Sequence, residues 1–269
     1  MTDVDRAAAT SNLAEAFRSV ESLLVDLPAE DWHRPTALPG WDVQANAVHI
    51  FSTEAMLLGE PAPAVEVDRD ALAHIRNDIG AANEAWVRGW ADATPAEVLD
   101  GMRERVAKRL DAIRSMDDAA WDAEGFTPAG PDTYGRFMRI RVMDVWMHEQ
   151  DIREAVGRPG HVEGPVVAMV LDEISSGLGF VVGKRAGAPQ GSSVTFSLAG
   201  PAGRDVHVAV DGRAGVVDHL EGPATATLRT DVLTFTRLAG GRTSDAAGVE
   251  VEGDAELGGR VLANLAFMI

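Results

Sequence analysis

Apolar residues recur by threes and fours along the first half of the chain. Leu13, Phe17, Val20, Leu24 and Leu27 keep that spacing and predict an amphipathic helix over about residues 4–27. Pro28 and Pro35 punctuate the loop that follows. Leu38-Pro39-Gly40-Trp41-Asp42 reads as a turn into a second helix over about 43–58, with Asp42 placed to accept from its first free N–H groups. A crossover loop spans 59–67. Leu72, Ile75, Ile79, Ala82 and Trp86 predict a third helix, and Thr94-Pro95-Ala96-Glu97 is a capping box that opens a fourth. Residues 117–132 hold acidic residues and helix breakers without a period and read as loop. Thr133 opens the last helix of this half, which runs to about residue 156 and stops at Gly157-Arg158-Pro159-Gly160.

The pattern then changes. One more helix is predicted over 166–182. Residues 193–198 and 206–210 alternate like strands across a Gly-Pro-Ala-Gly turn, and 224–229 alternates as well. A short helix over 231–238, a strand at 249–251 and a terminal helix capped by Asp254 and running to about residue 267 complete the chain. The fold class is therefore α then α+β: an up-down helical bundle over 1–160 and a smaller α+β domain over 161–269.

Composition narrows the function classes. The formal net charge is −18, with 24 basic residues scattered among 42 acidic ones, so nucleic acid is not the expected partner. Cysteine is absent, which removes disulfides, zinc–thiolate sites and a cysteine nucleophile; thiol chemistry would need a thiol brought in as a small molecule. The N-terminus lacks the basic and apolar regions of a signal peptide, and no uninterrupted apolar run approaches a membrane span. A cytoplasmic protein without membrane partners is the expectation, and its oligomeric state is open.

The chemistry concentrates in Asp144-Val145-Trp146-Met147-His148-Glu149-Gln150-Asp151. In a helix, Asp144 and His148 stand one turn apart on the same face and can share a divalent ion. His49 lies midway along the second helix, at a depth compatible with meeting them. His/Asp/His suits Zn²⁺, Fe²⁺ or Mn²⁺, with zinc the default. The competing reading is a surface hydrogen-bonded pair. Against it, both groups fall on the face carrying Phe137, Ile140 and Ile152, where an unpaired charge is costly. Asp151 either orients His49 or His148 from behind or is a solvated helix charge. Glu149 should point off the metal face. His33, His74, His161, His207 and His219 read as surface residues, and Trp41, Trp86, Trp90 and Trp146 as packing residues.

Leu38-Pro39-Gly40-Trp41-Asp42-Val43 with Val48-His49, and Asp144 through Arg153 continued by Gly157-Arg158-Pro159, resemble the two bundle motifs of the mycothiol-dependent maleylpyruvate isomerase family, within the DinB-like group of metal-binding four-helix bundles. Phe235-Thr236-Arg237-Leu238, Gly241-Arg242 and Val251-Glu252-Gly253-Asp254 resemble its small sterol-carrier-like domain. The resemblance implies metal ligation by His49, Asp144 and His148, and activation of a low-molecular-weight thiol, mycothiol, towards a small electrophile by S-transfer or cis–trans isomerisation. Asp144 stands where the family's founding isomerase carries Glu, so the reaction does not follow from the likeness. A carboxylated substrate would need a cation, for which Arg242 is the first candidate and Arg237 and Arg260 are others; each also reads as an exposed arginine. Two other classes remain: a non-catalytic small-molecule-binding protein, and a metallohydrolase using metal-bound hydroxide.

Overall fold

Each long helix of the N-terminal half begins at a side chain that accepts from its own first turn, the local device that starts a helix where the chain turns inward. Asp5 accepts from Ala8 N in α1 (Arg6–Val25), Asp42 from Ala45 N in α2 (Val43–Leu57), and Asn77 from Gly80 N in α3 (Asp78–Gly89). Thr94 and Glu97 cap α4 (Pro95–Ser115) reciprocally, and Thr133 caps α6 (Tyr134–Ala155). The short α5 (Asp118–Trp121) precedes α6 and is capped by Asp117. The computed structural model describes residues 2–68, 72, 75 and 77–268. These form two compact units, Met1–Gly160 and His161–Ile269.

In the first unit α1 packs on α4 and α6, and α2 packs on the same two helices, closing a four-helix bundle with α3 against α2. Leu13, Val20 and Leu24 of α1, Val48 and Phe51 of α2, Met102 and Ile113 of α4, and Val145, Trp146 and Ile152 of α6 are buried in its core. Each such side chain contributes roughly 1.5–3 kcal/mol by leaving water. That apolar frame holds the middle of α2 against the middle of α6, where the polar residues of interest lie.

The second unit opens with α7 (Pro165–Ser176), followed by the single turn α8 (Leu178–Phe180) and a wide π-helical turn at Val181–Arg185. Its sheet comprises β3 (Ser193–Ala199), β4 (Asp205–Asp211), β5 (Arg213–Val217), β6 (Ala226–Asp231) and β7 (Glu250–Gly253), ordered β5-β4-β3-β6-β7; the first two strands of the chain, β1 (Glu124–Gly125) and β2 (Asp132–Thr133), pair within the N-terminal unit. Only the β3–β6 pair is parallel. Val194, Phe196, Leu198, Val206, Val208, Val210 and Leu228 share the buried face, and α9 (Val232–Ala239) and α10 (Ala255–Ala263) lie against the sheet.

The architecture is the α then α+β arrangement that the pattern predicts, with several local differences. The third helix starts at Asp78, because Asn77 supplies its cap; Leu72 and Ile75 precede it, and His74 lies outside the described residues. The segment expected as loop over 117–132 contains α5 and reaches the β1–β2 hairpin. The expected helix over 166–182 is interrupted at Gly177. There the chain runs close to β5: a Cβ at Gly179 would stand 2.8 Å from Ala214 O, and one at Gly183 would stand 2.5 Å from Ala214 Cβ. Pro165–Arg185 is also long and apolar enough to cross a membrane by composition, contrary to the expectation from the sequence, but most of it is buried within the protein. Strand β5 was not expected, and the terminal helix ends at Ala263 instead of near residue 267.

Candidate metal centre

His49 comes from the middle of α2, and Asp144 and His148 from consecutive turns of α6. The structure brings the three together: one ligand atom from each lies within 4.8 Å of the others. His49 Nε2 stands 3.5 Å from Asp144 Oδ2, and His148 Nε2 stands 3.5 Å from Asp144 Oδ1. Those separations exceed a good N–H···O hydrogen bond of about 2.7–3.2 Å. They approach the spacing of about 3.4 Å between two ligands held near 2.1 Å from a tetrahedral ion. The imidazole rings meet edge to face with centroids 4.5 Å apart. Both imidazoles are buried, whereas the Asp144 side chain is 31% exposed.

The residues fit a divalent ion on three grounds. Two imidazole nitrogens and a carboxylate oxygen are the donors that borderline metals accept. His49 Nδ1 is buried without a hydrogen-bond partner, so the ring's polar contact is made through Nε2, at the centre. Asp144 remains anionic. Burial alone would raise its pKa, but the Arg141 guanidinium, hydrogen-bonded to Oδ2, holds it well below the usual carboxylate range, helped by the two imidazoles.

Behind Asp144 lies a network of charges buried between α2, α4 and α6. Glu54 Oε1 accepts from Arg141 Nε at 3.1 Å and Nη2 at 2.8 Å, and its Oε2 accepts from Arg109 Nε at 3.0 Å. Arg109 continues to the Tyr134 hydroxyl at 2.6 Å, and Arg141 Nη2 also donates to Ile50 O at 3.1 Å. Arg141 thus reaches Asp144 with its position already set by α2. Trp41 flanks the centre, its ring centroid 5.0 Å from that of His49 and 6.0 Å from that of His148, while its Nε1 donates to Glu84 Oε2 at 3.2 Å.

Burial, reinforced by the neighbouring His148, lowers the His49 pKa from 6.5 to about 4. The unfolded chain therefore takes up a proton that the folded centre refuses. In metal-free protein the His49 contribution to stability is whole above pH 6.5 and drains away as the pH falls towards about 4. The full loss is roughly 3 kcal/mol. Urea unfolding of chelator-washed protein across this range checks it; a profile unchanged by His49→Leu would overturn the assignment.

The other expected residues fall as follows. Asp151 is buried with Oδ2 3.4 Å from His148 Nδ1, so of the two histidines it lies beside His148. Asn46 is closer: its Oδ1 accepts from that same Nδ1 at 2.8 Å. Glu149 is fully buried and accepts from Ser19 and Arg153. Arg242 lies in the C-terminal unit, where Nη1 donates to Gly240 O at 2.9 Å. Arg260 donates to Ala186 O and Glu256, and Arg237 sits in the last turn of α9. His33 pairs with Asp42 at 3.1 Å, and His207 is half-buried against Thr195 at 2.9 Å, so the surface reading of His207 is only partly right. Sequence reasoning missed Asn46, Glu54, Arg109 and Arg141 and assigned Trp41 to packing alone. Two signals were available: Asn46 is one turn before His49, and Arg141 is one turn before Asp144.

Comparison with known proteins places the chain in a family. The family profile of the mycothiol maleylpyruvate isomerase N-terminal domain matches residues 13–153, and that of the MDMPI C-terminal domain matches residues 169–260. Two uncharacterized proteins of Mycobacterium tuberculosis, from strains CDC 1551 and H37Rv, are each 27% identical over 141 residues, 51% of this chain and 52% of theirs. The chain thus spans about half the length of the curated relatives it matches. Crystal structures of a mycothiol-dependent maleylpyruvate isomerase and of a histidine-to-alanine mutant share its fold, with a TM-score of 0.60 at 19% identity, covering 94% of this chain and 96% of theirs. With both profiles in register with the two units, this chain belongs to the mycothiol-dependent maleylpyruvate isomerase family.

Proposed function

We propose that this chain is a divalent-metal-dependent enzyme that activates a low-molecular-weight thiol, with zinc as the ion and mycothiol as the thiol, towards a small electrophilic substrate. The meeting of His49, Asp144 and His148 carries this reading, because it supplies two nitrogen donors and one anionic oxygen at a single point. The family profile over residues 13–153 and the name of the related isomerase support the choice of thiol. When bound at these residues, a divalent ion lowers the pKa of a thiol and keeps it as thiolate at neutral pH.

The protein's own groups do the rest. His49, Asp144 and His148 hold the ion. Arg141 occupies Asp144 Oδ2 and keeps the carboxylate ionised. The Trp41 ring covers the two imidazoles on one side and limits water there. A thiolate that adds to an electrophilic carbon and leaves after bond rotation gives isomerisation. If the carbanion left by the addition takes up a proton instead, the carbon–sulfur bond persists, the product is a thioether and the reaction is S-transfer.

Elemental analysis of the purified chain, with turnover assays across a panel of electrophiles with and without thiol, tests the proposal. A stoichiometric divalent ion and strict thiol dependence are expected. Thiol recovered unchanged assigns isomerisation, and thiol consumed mole for mole assigns S-transfer. Turnover indifferent to thiol would move the protein to hydroxide chemistry, and bound apolar ligand without ion or turnover would make it a binding protein.

A further inference from the structure

The contact between Asn46 and His148 has a fixed polarity that can be traced atom by atom. The Thr36 hydroxyl donates to Trp41 O at 2.8 Å, so its hydrogen is committed to the loop backbone. Towards Asn46 the same oxygen can only accept, and it does so from Nδ2 at 3.2 Å. Asn46 Nδ2 also donates to Asp42 O at 2.8 Å. Both neighbours of the amide nitrogen are thus acceptors, and the amide cannot flip without setting its oxygen against Asp42 O. Its Oδ1 therefore faces His148 Nδ1 at 2.8 Å, and Nδ1 carries the proton. The remaining nitrogen, Nε2, presents its lone pair to the point shared with Asp144 and His49.

We infer that Asn46, anchored by Thr36, is a positioning residue that keeps His148 in the tautomer able to coordinate through Nε2. The inference deepens the metal-centre reading and rests on it for its purpose, though not for its geometry. Asn46 is fully buried, so the bond is shielded from exchange with water. Asp151 Oδ2, 3.4 Å from the same nitrogen, lies beyond the usual hydrogen-bond range. The loop entering α2 thereby dictates the protonation pattern of a histidine on α6.

A proton–nitrogen correlation spectrum of the isotope-labelled, chelator-washed full chain at neutral pH reads the tautomer of His148 directly. Titration with zinc alone, against a competing chromophoric chelator, reads affinity. The wild type is expected to be protonated at Nδ1. Asn46→Ala should mix the tautomers and weaken zinc binding about 10–100-fold. Asn46→Asp keeps an acceptor towards the ring while setting its second oxygen against Asp42 O, so it should restore the Nδ1–H tautomer at a cost in stability, and a loss of packing alone would not be rescued in this way. Should Asn46→Ala fail to fold, Thr36→Val removes the anchor and should shift the tautomer in the same direction. Wild-type His148 protonated at Nε2, or an Nδ1–H form with unchanged zinc affinity in whichever of Asn46→Ala and Thr36→Val folds, overturns the inference. Equal zinc binding by wild type and His148→Ala would instead overturn the metal-centre reading, and the tautomer would still decide the role of Asn46.

Discussion

Replacing Glu54 with alanine is expected to destabilise the N-terminal unit by about 3–5 kcal/mol, the cost of removing one partner from a buried ion pair. The Glu54 side chain is 0% exposed and lies between Arg109 and Arg141, each 3% exposed. Without it two guanidinium groups remain in the bundle interior with one carboxylate fewer, and neither reaches water without disturbing α4 or α6. Glu54→Gln keeps the shape and one acceptor oxygen but not the charge, so its cost should be smaller than that of alanine. Tryptophan fluorescence during denaturant unfolding is a selective probe, because all six tryptophans, from Trp32 to Trp146, belong to the N-terminal unit. A loss below about 1 kcal/mol, the range of exposed pairs, would mean that the network is solvated and that Arg141 is not held from behind.

The second large effect is expected at the imidazoles. His49→Ala and His148→Ala should each lower divalent-ion affinity by more than the ~10–100-fold typical of losing a supporting partner, since each removes a donor outright. Turnover should disappear with the ion. Zinc should raise the melting temperature of the wild type and leave that of the variants unchanged, because an ion that binds only the folded state stabilises it by mass action. Asp144→Glu lengthens the carboxylate by one methylene and should keep the ion, whereas Asp144→Ala should not. Full occupancy in the double His→Ala variant refutes the centre.

Much of the bundle is legible because its helices announce their own beginnings. Asp42, Thr94 and Thr133 mark starts in the sequence, and the structure uses all three as caps. The candidate ligands were legible because they stand at helical spacing on an otherwise apolar face. The ion network was not. Glu54, Arg109 and Arg141 come from three helices, and each taken alone resembles the solvated charge of an amphipathic surface. Pairing over 55 and 87 residues leaves no local period. Strand β5 escaped for a different reason: Arg-Ala-Gly-Val-Val has no alternation, because as an edge strand it pairs with β4 without burying a regular face. The break in the helix after Ser176 is signalled only by glycines, and their close approaches, Gly177 to Phe267 and Gly179 and Gly183 to β5, are visible only in three dimensions.

The unequal exposure of the three converging side chains bears on traffic. Each imidazole is 7% exposed and the carboxylate 31%, so solvent reaches the meeting point past Asp144. A cosubstrate bound over an ion at this point would cover Asp144, the most exposed of the three donors. A chelator added in the presence of excess cosubstrate should therefore strip the protein more slowly than the same chelator added alone.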